Sequence, residues 1–289
     1  PNLFILGAAK SGTSSLHDYM AQHPSIYMSK VKEPHFFNLD ENYNKGYDYY
    51  INQYFNINNS YRIIGESTPA YLRRYDKVIP RLCDFVQKYD NKSVYFIIIM
   101  RNPALRAWSH YLHNIRIGIE KNDFETALIL EDKRVKSDPN GWWGYYRDGL
   151  YNLQINQWLK RFSIDQFYFI FTDELKINVQ ITMNAVFSFL DLPPYNEINE
   201  SIKNSYSIPK SKKLMNFFQT DTLLRRISRQ YISKDIRTRL VAQIRKYNLK
   251  KDTKPAIPQE TYEKLLSMYT PHIQELEEFM NRDLSIWKK

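Results

Sequence analysis

The sequence predicts an α/β protein with a central parallel sheet flanked by helices and a mainly helical C-terminal part. Three observations lead there. The chain opens with an apolar run, a loop of small residues and a helical pattern in direct succession. Short apolar runs then alternate with segments of helical period, the order that builds parallel sheets. One run, residues 93–100 (SVYFIIIM), is continuous and rich in β-branched residues, as strands buried on both faces are.

Taken in order, residues 2–6 (NLFIL) form a first strand that ends at Gly7, and residues 14–23 form a helix with Leu16, Tyr19 and Met20 on one face. Further strands are expected at 62–65, 93–100 and 166–171 (QFYFIF). Helices are expected at 76–89, 105–117, 150–161 and 178–190, the last closed by Pro193 and Pro194. Beyond Pro194 the pattern is mainly helical and basic, and it ends in an amphipathic helix at 259–280. No internal repeat and no Gly-, Ser- or Pro-rich linker divides the chain, so residues 1–289 are expected to form a single domain.

Composition narrows the functional classes. With 43% hydrophobic and 15% aromatic residues, 8 Gly and 13 Pro, the chain is neither disordered nor fibrous. Its longest clean apolar run, 94–100, falls far short of the roughly 20 residues a bilayer span needs. One cysteine, Cys83, leaves no intramolecular disulfide and no cysteine zinc site, which points to a reducing cytoplasm. The net charge of +10 suggests an anionic partner, and the charge is regional: residues 201–251 hold 14 Lys and Arg against Asp221 and Asp235. Arg225, Arg226 and Arg229 in that stretch make either one positive face for a polyanionic or membrane-bound acceptor or a plain solvated helix face.

Gly7, Ala8, Ala9, Lys10, Ser11, Gly12, Thr13 and Ser14 stand between strand and helix, where backbone N–H groups and the helix dipole converge on a phosphate. The placement is P-loop-like. The spacing is not that of G-x-x-x-x-G-K-[ST], because the lysine precedes the second glycine by two residues. The plainer alternative is a tight turn with an exposed lysine and a Thr or Ser cap. At the end of the strongest strand, where magnesium-dependent triphosphatases place an Asp, this chain has Arg101, an anion ligand by its chemistry. Ser109 follows about two helical turns later and adds a hydroxyl on the same side. The pair implies a second phosphate held without metal; otherwise Arg101 is a surface residue.

Taken together, these segments resemble the sulfotransferases that use 3′-phosphoadenosine 5′-phosphosulfate (PAPS). AAKSGTSSL resembles their 5′-phosphosulfate loop, and IIMRNPALRAWSHY their 3′-phosphate strand and helix. KEPHFFN and GESTPAYL are similar to segments of the heparan sulfate sulfotransferases and of many bacterial relatives, while RDGLYNLQINQWLKRF, NSYSIPKSKKL and NRDLSIW resemble the bacterial branch. The resemblance implies sulfuryl transfer from PAPS to a hydroxyl acceptor, with the bisphosphate PAP as product and no metal. It puts Lys10, Ser11, Gly12, Thr13 and Ser14 on the 5′-phosphosulfate, Arg101 and Ser109 on the 3′-phosphate, and Lys210, Ser211 and Lys212 in a segment that closes over the cofactor. Glu33 falls on the position of the general base and His35 on an adjacent active-site histidine. The chain departs from that branch at Asn38, where Asp is common, and at Ser67, where a lysine stands in E-K-[ST]-P. The paired cysteines of the Golgi enzymes' cofactor loop are also absent, in keeping with a bacterial, cytoplasmic relative.

On this resemblance, the following roles are expected. Glu33 takes the acceptor's proton, with a carboxyl expected to be raised by partial burial beside Phe36 and Phe37, and Lys10 stabilises the leaving 5′-phosphate. The bland alternative for Glu33 is a surface ion pair with Lys30 or Lys32. His35 either orients the base, accepts a proton itself or sits at the core edge; Glu66 either faces the acceptor or caps the turn at Pro69. Trp142, Trp143, Tyr145 and Tyr146 either stack on an adenine or sugar or belong to the core. The acceptor is expected to be a carbohydrate or another aliphatic alcohol, anionic or neutral. A P-loop kinase and a basic nucleic-acid-binding protein are the competing readings. Magnesium dependence would mark the first and steep salt dependence the second, and nucleic acid is not the expected partner.

Overall fold

The apolar runs become β1 (Leu3–Gly7), β2 (Ile26–Met28), β3 (Ile63–Ser67), β4 (Tyr95–Met100) and β5 (Phe167–Phe171), all parallel, in the order β2-β3-β1-β4-β5. The computed structural model describes residues 1–55, 61–89, 93–138, 141–200, 207–209, 249–251 and 254–288. In chain order the helices are α1 (Thr13–Met20), α2 (Asp40–Tyr43), α3 (Tyr47–Tyr54), α4 (Ala70–Arg73), α5 (Tyr75–Lys88) and α6 (Pro103–Arg116). They continue with α7 (Phe124–Ile129), α8 (Glu131–Val135), α9 (Tyr151–Leu159), α10 (Thr172–Ile177), α11 (Val179–Phe189) and α12 (Gln259–Met280). Two short strands, β6 (Ser207–Pro209) and β7 (Leu249–Lys251), pair antiparallel apart from the main sheet.

Side-chain alternation divides the core into two layers. Leu3 and Ile5 of β1 and Ile97 and Ile99 of β4 face Leu16, Tyr19 and Met20 of α1 and Met183, Val186 and Phe187 of α11. Phe4, Leu6, Phe96, Ile98 and Met100 face the other way, onto α5, α6, α9 and α12. Each such side chain contributes roughly 1.5–3 kcal/mol when fully buried, so β1 and β4, buried almost throughout, form the rigid centre. The chain runs from β1 out to β2, returns through β3 and then crosses to β4. Strand order therefore reverses between β1 and β4, where open α/β sheets bind ligands at their carboxyl ends.

The C-terminal segment is tied to that edge. Leu265, Tyr269, Ile273 and Leu276 form the buried stripe of α12, which packs on α6 and α9. Asn281, in the left-handed region, ends the helix, and Leu284 and Trp287 return to the core. Asn102 caps α6 by accepting from the Leu105 N–H (3.0 Å), and its amide donates to the Trp287 carbonyl (2.8 Å) and the Tyr262 hydroxyl (3.0 Å). The residue after Arg101 is thus a tie point for the end of the chain.

The structure extends the expected sheet from four strands to five. β2 is three residues long and carries too little pattern to be read. The β6–β7 pair likewise interrupts a region expected to be mainly helical. No described helix is long and apolar enough to cross a membrane.

Candidate active site

The loop after β1 is built as a cradle. Gly12 takes φ +104°, which L residues rarely adopt, and it starts α1 with no side-chain cap and no acid in the first turn. The helix's first N–H groups are therefore available to an anion. Lys10 itself holds a left-handed backbone, φ +70°, a conformation costing roughly 1–3 kcal/mol for a non-glycine residue. The loop is pinned to its neighbours: Ala8 N–H donates to the Ile99 carbonyl (2.7 Å), and the Thr172 hydroxyl, at the end of β5, lies 2.6 Å from the Ser11 carbonyl and 2.9 Å from that of Met100. Three strand ends, β1, β4 and β5, meet there.

At the end of β4, Arg101 has its backbone carbonyl held by the Tyr151 hydroxyl (2.9 Å). Its Nε is buried and without a hydrogen-bond partner among the described residues. A buried guanidinium nitrogen left in this state is costly unless a ligand completes it. Ser109, half-buried, lies on α6, and His113 and Arg116 follow it at i+4 and i+7 on the same face. Burial first, and then the charges of Arg116, Lys32 and Arg106, lower the Lys10 ammonium to about 8, with Glu33 opposing them. Lys254 is lowered to about 8 as well, by burial and by Arg101, Lys10 and Lys176. Its segment is held against α6 by the Trp108 indole, which donates to the Pro255 carbonyl (2.8 Å).

The segment after β2 crosses the carboxyl end of β3, where the Glu33 N–H donates to the Ser67 carbonyl (3.1 Å). Glu33 and His35 both adopt left-handed backbones, φ +58° and +52°. Glu33 Oε1 lies 3.1 Å from Lys32 Nζ and Oε2 3.6 Å from His35 Nε2, while His35 Nδ1 lies 3.2 Å from Asn38 Oδ1. Lys32 Nζ also donates to Ser14 Oγ at 2.6 Å, which joins this segment to the first turn of α1. Burial works to raise the Glu33 carboxyl, but His35 and Lys32 outweigh it and hold it at about 2. The expectation of a raised carboxyl is therefore corrected. Phe36 and Phe37 are fully buried and pack their rings on Tyr50 and on each other, deep in the aromatic core.

Of the residues singled out from sequence, Lys10, Ser11, Gly12, Thr13, Ser14, Glu33, His35, Arg101 and Ser109 lie along the carboxyl edge of the sheet or on the helix and loop leaving it. Lys210, Ser211, Lys212 and the arginines 225, 226 and 229 lie outside the described residues. Glu66 neither faces an acceptor nor caps a turn. It is fully buried and accepts from the hydroxyls of Tyr50 (2.5 Å), Thr68 (2.5 Å) and Tyr71 (2.9 Å). The aromatic cluster divides: Tyr145 is buried, Tyr146 stacks on Tyr269, Arg134 covers Trp143, and Trp142 alone of the four is exposed. Sequence reading missed His113, Arg116, Thr172, Tyr151 and Lys254. Helical spacing from Ser109 would have found the first two; no local signal marks the others. His113, lowered to about 3 by burial and by Lys10 and Arg116, is neutral and sits 2.9 Å from an Arg116 nitrogen through Nδ1. No group of three or more His, Cys, Asp or Glu among the described residues is placed to hold a metal.

Comparison with known proteins identifies the family. Heparan sulfate glucosamine 3-O-sulfotransferase 5 of Homo sapiens is 29% identical over 199 residues, 67% of this chain and 54% of that protein. Carbohydrate sulfotransferase 15 of Mus musculus is 25% identical over 256 residues, 70% of this chain and 46% of that protein. The chain spans about half the length, or less, of the curated relatives it matches. The crystal structure of a sulfotransferase from Alicyclobacillus acidocaldarius superposes with a TM-score of 0.72 at 26% identity and covers 100% of this chain and 99% of that one. The family profile described as the sulfotransferase domain matches residues 1–276, and the chain belongs to that family.

Proposed function

We propose that the protein transfers a sulfuryl group from PAPS to a hydroxyl of a carbohydrate or other aliphatic alcohol. The observation that carries this reading is a pair of anion positions on adjacent strand ends: the uncapped start of α1 with Lys10, and Arg101 with its unpartnered buried Nε. They suit a nucleotide with phosphates at both ends. PAPS supplies an activated sulfuryl group whose leaving group is a phosphate. Lys10 and the first N–H groups of α1 neutralise the charge growing on that phosphate. Arg101, Ser109 and Lys254 hold the far phosphate, so that affinity comes from a part of the nucleotide that does not react. Glu33 removes the acceptor's proton, and His35, in reach of its second oxygen, orients the carboxylate. The family membership supports the donor, and the carbohydrate enzymes among the relatives support the acceptor class. The lone cysteine fits action in a reducing compartment, and residues 1–289 act as one domain.

The test is calorimetric titration with PAP in the presence of EDTA, for the wild-type protein and Lys10→Ala. Micromolar, metal-independent binding that weakens by about 100-fold or more in the variant is expected, the loss of a charge-assisted contact in a partly enclosed site. A preference for adenosine triphosphate with magnesium would overturn the reading.

A further inference from the structure

Resting on that reading, the contacts of Lys32 bear on how the base is brought into play. We propose that Lys32 is a positioning residue that ties the readiness of Glu33 to the presence of the sulfuryl donor. Its ammonium group stands between two partners, Ser14 Oγ at 2.6 Å on the first turn of α1 and Glu33 Oε1 at 3.1 Å. Only 24% of its side chain is exposed, so it is held in that position rather than waving in solvent. With His35 3.6 Å from Oε2 and Lys32 on Oε1, a hydroxyl that approaches Oε1 has to compete with the ammonium group for it. Ser67 is fully buried and its hydroxyl has no partner among the described residues, so the cation beside the base comes from Lys32 and not from the end of β3.

The titratable groups around Glu33 are Lys32 and His35 from its own segment, Lys10 from the loop after β1 and the neutral His113 from α6. The 5′-phosphate stays on Lys10 and the first N–H groups of α1, and the sulfuryl group carried beyond it brings negative charge within reach of Lys32 on the side of Ser14, its other partner. The ammonium then turns to that group and gives up Oε1. With Oε1 released, the acceptor's proton passes to Glu33. The acceptor oxygen forms the new O–S bond, and the electron pair of the breaking S–O bond leaves on the 5′-phosphate. A site without donor keeps its base locked in an ion pair and does no proton chemistry on a stray alcohol.

Calorimetry of Lys32→Met and Lys32→Arg with two ligands tests this: PAP, which has no sulfuryl group, and a PAPS analogue with methylene in place of the bridging oxygen. Lys32→Met is expected to bind PAP within twofold of wild type and the analogue about tenfold more weakly, with Lys32→Arg restoring most of the difference. In parallel, carbon-13 NMR of the Glu33 carboxyl is expected to show its titration midpoint rising when the analogue binds wild type but not when PAP does. In Lys32→Met it should start high and stay there. Equal weakening of both ligands, or a Glu33 midpoint that the analogue leaves unmoved, would overturn the inference. Failure of the wild-type protein to bind either nucleotide would instead overturn the donor reading and this inference with it.

Discussion

Two glutamates stand on either side of one hydrogen bond and have opposite environments. Glu33, on the segment after β2, has 42% of its side chain exposed, a strained backbone and a cation beside it. Glu66, one residue before the carbonyl that accepts from the Glu33 N–H, is fully buried and ringed by three hydroxyl donors. Burial raises the Glu66 carboxyl despite those donors, whereas Lys32 and His35 hold Glu33 at about 2. Residue type is the same, and surroundings decide the work. Glu66 organises the aromatic core under the site, tying Tyr50 and Tyr71 to β3, while Glu33 spends backbone strain to hold a carboxylate at the sheet edge. The bland surface ion pair read for Glu33 is present, with Lys32.

The sharpest way to break this contrast is Glu33→Gln. Turnover should fall by about 10²–10⁴, as loss of a general base does, while PAP affinity and thermal stability stay within error of wild type. Unchanged turnover would remove Glu33 from the chemistry. Glu66→Ala should do the reverse: a loss of roughly 2–4 kcal/mol in a denaturant melt, from a cavity and unsatisfied buried hydroxyls. If Glu66→Ala melted like wild type but lost turnover, the two assignments would have to be exchanged.

The same contrast extends to the cations. Arg101→Gln should weaken PAP by about 10- to 100-fold and leave adenosine 5′-phosphate unaffected, since only the former presents a 3′-phosphate. The smallest effect is one of pH. Lys10 and Lys254 are each lowered to about 8, chiefly by burial, and a bound phosphate favours their charged forms. PAP affinity should be flat below about pH 7 and fall above pH 8 as the free protein loses these protons. Each participating lysine contributes about tenfold by pH 9. Calorimetry in two buffers of different ionisation enthalpy should show proton uptake on binding at that pH.

Much of this was legible in the residues. β1, β4 and the helices after them follow from runs and periods that are strong because these strands are buried on both faces, and β5, at the sheet edge, from its unbroken aromatic and aliphatic run. The strand-end placement of Lys10, Gly12, Thr13, Ser14 and Arg101 was legible too, because a strand followed directly by a helix fixes where the loop between them sits. Short or partly exposed elements, such as β2 and the helices between β2 and β3, leave no periodic trace. Lys254 was invisible for another reason. It reaches Arg101 and Lys10 across more than 150 residues of chain, through a contact between Trp108 and Pro255 that no local pattern announces.

The sequence by itself determined the layers, the strand–loop–helix at the start of the chain and the resemblance to the family, because periodicity, glycine placement and motif spacing are local properties of the chain. Only the tertiary structure decided which glutamate is buried, which lysine stands beside Glu33 and that the Arg101 Nε is left buried without a partner among the described residues. Those depend on which strand ends become neighbours, and strand order is set by packing between residues far apart in the chain.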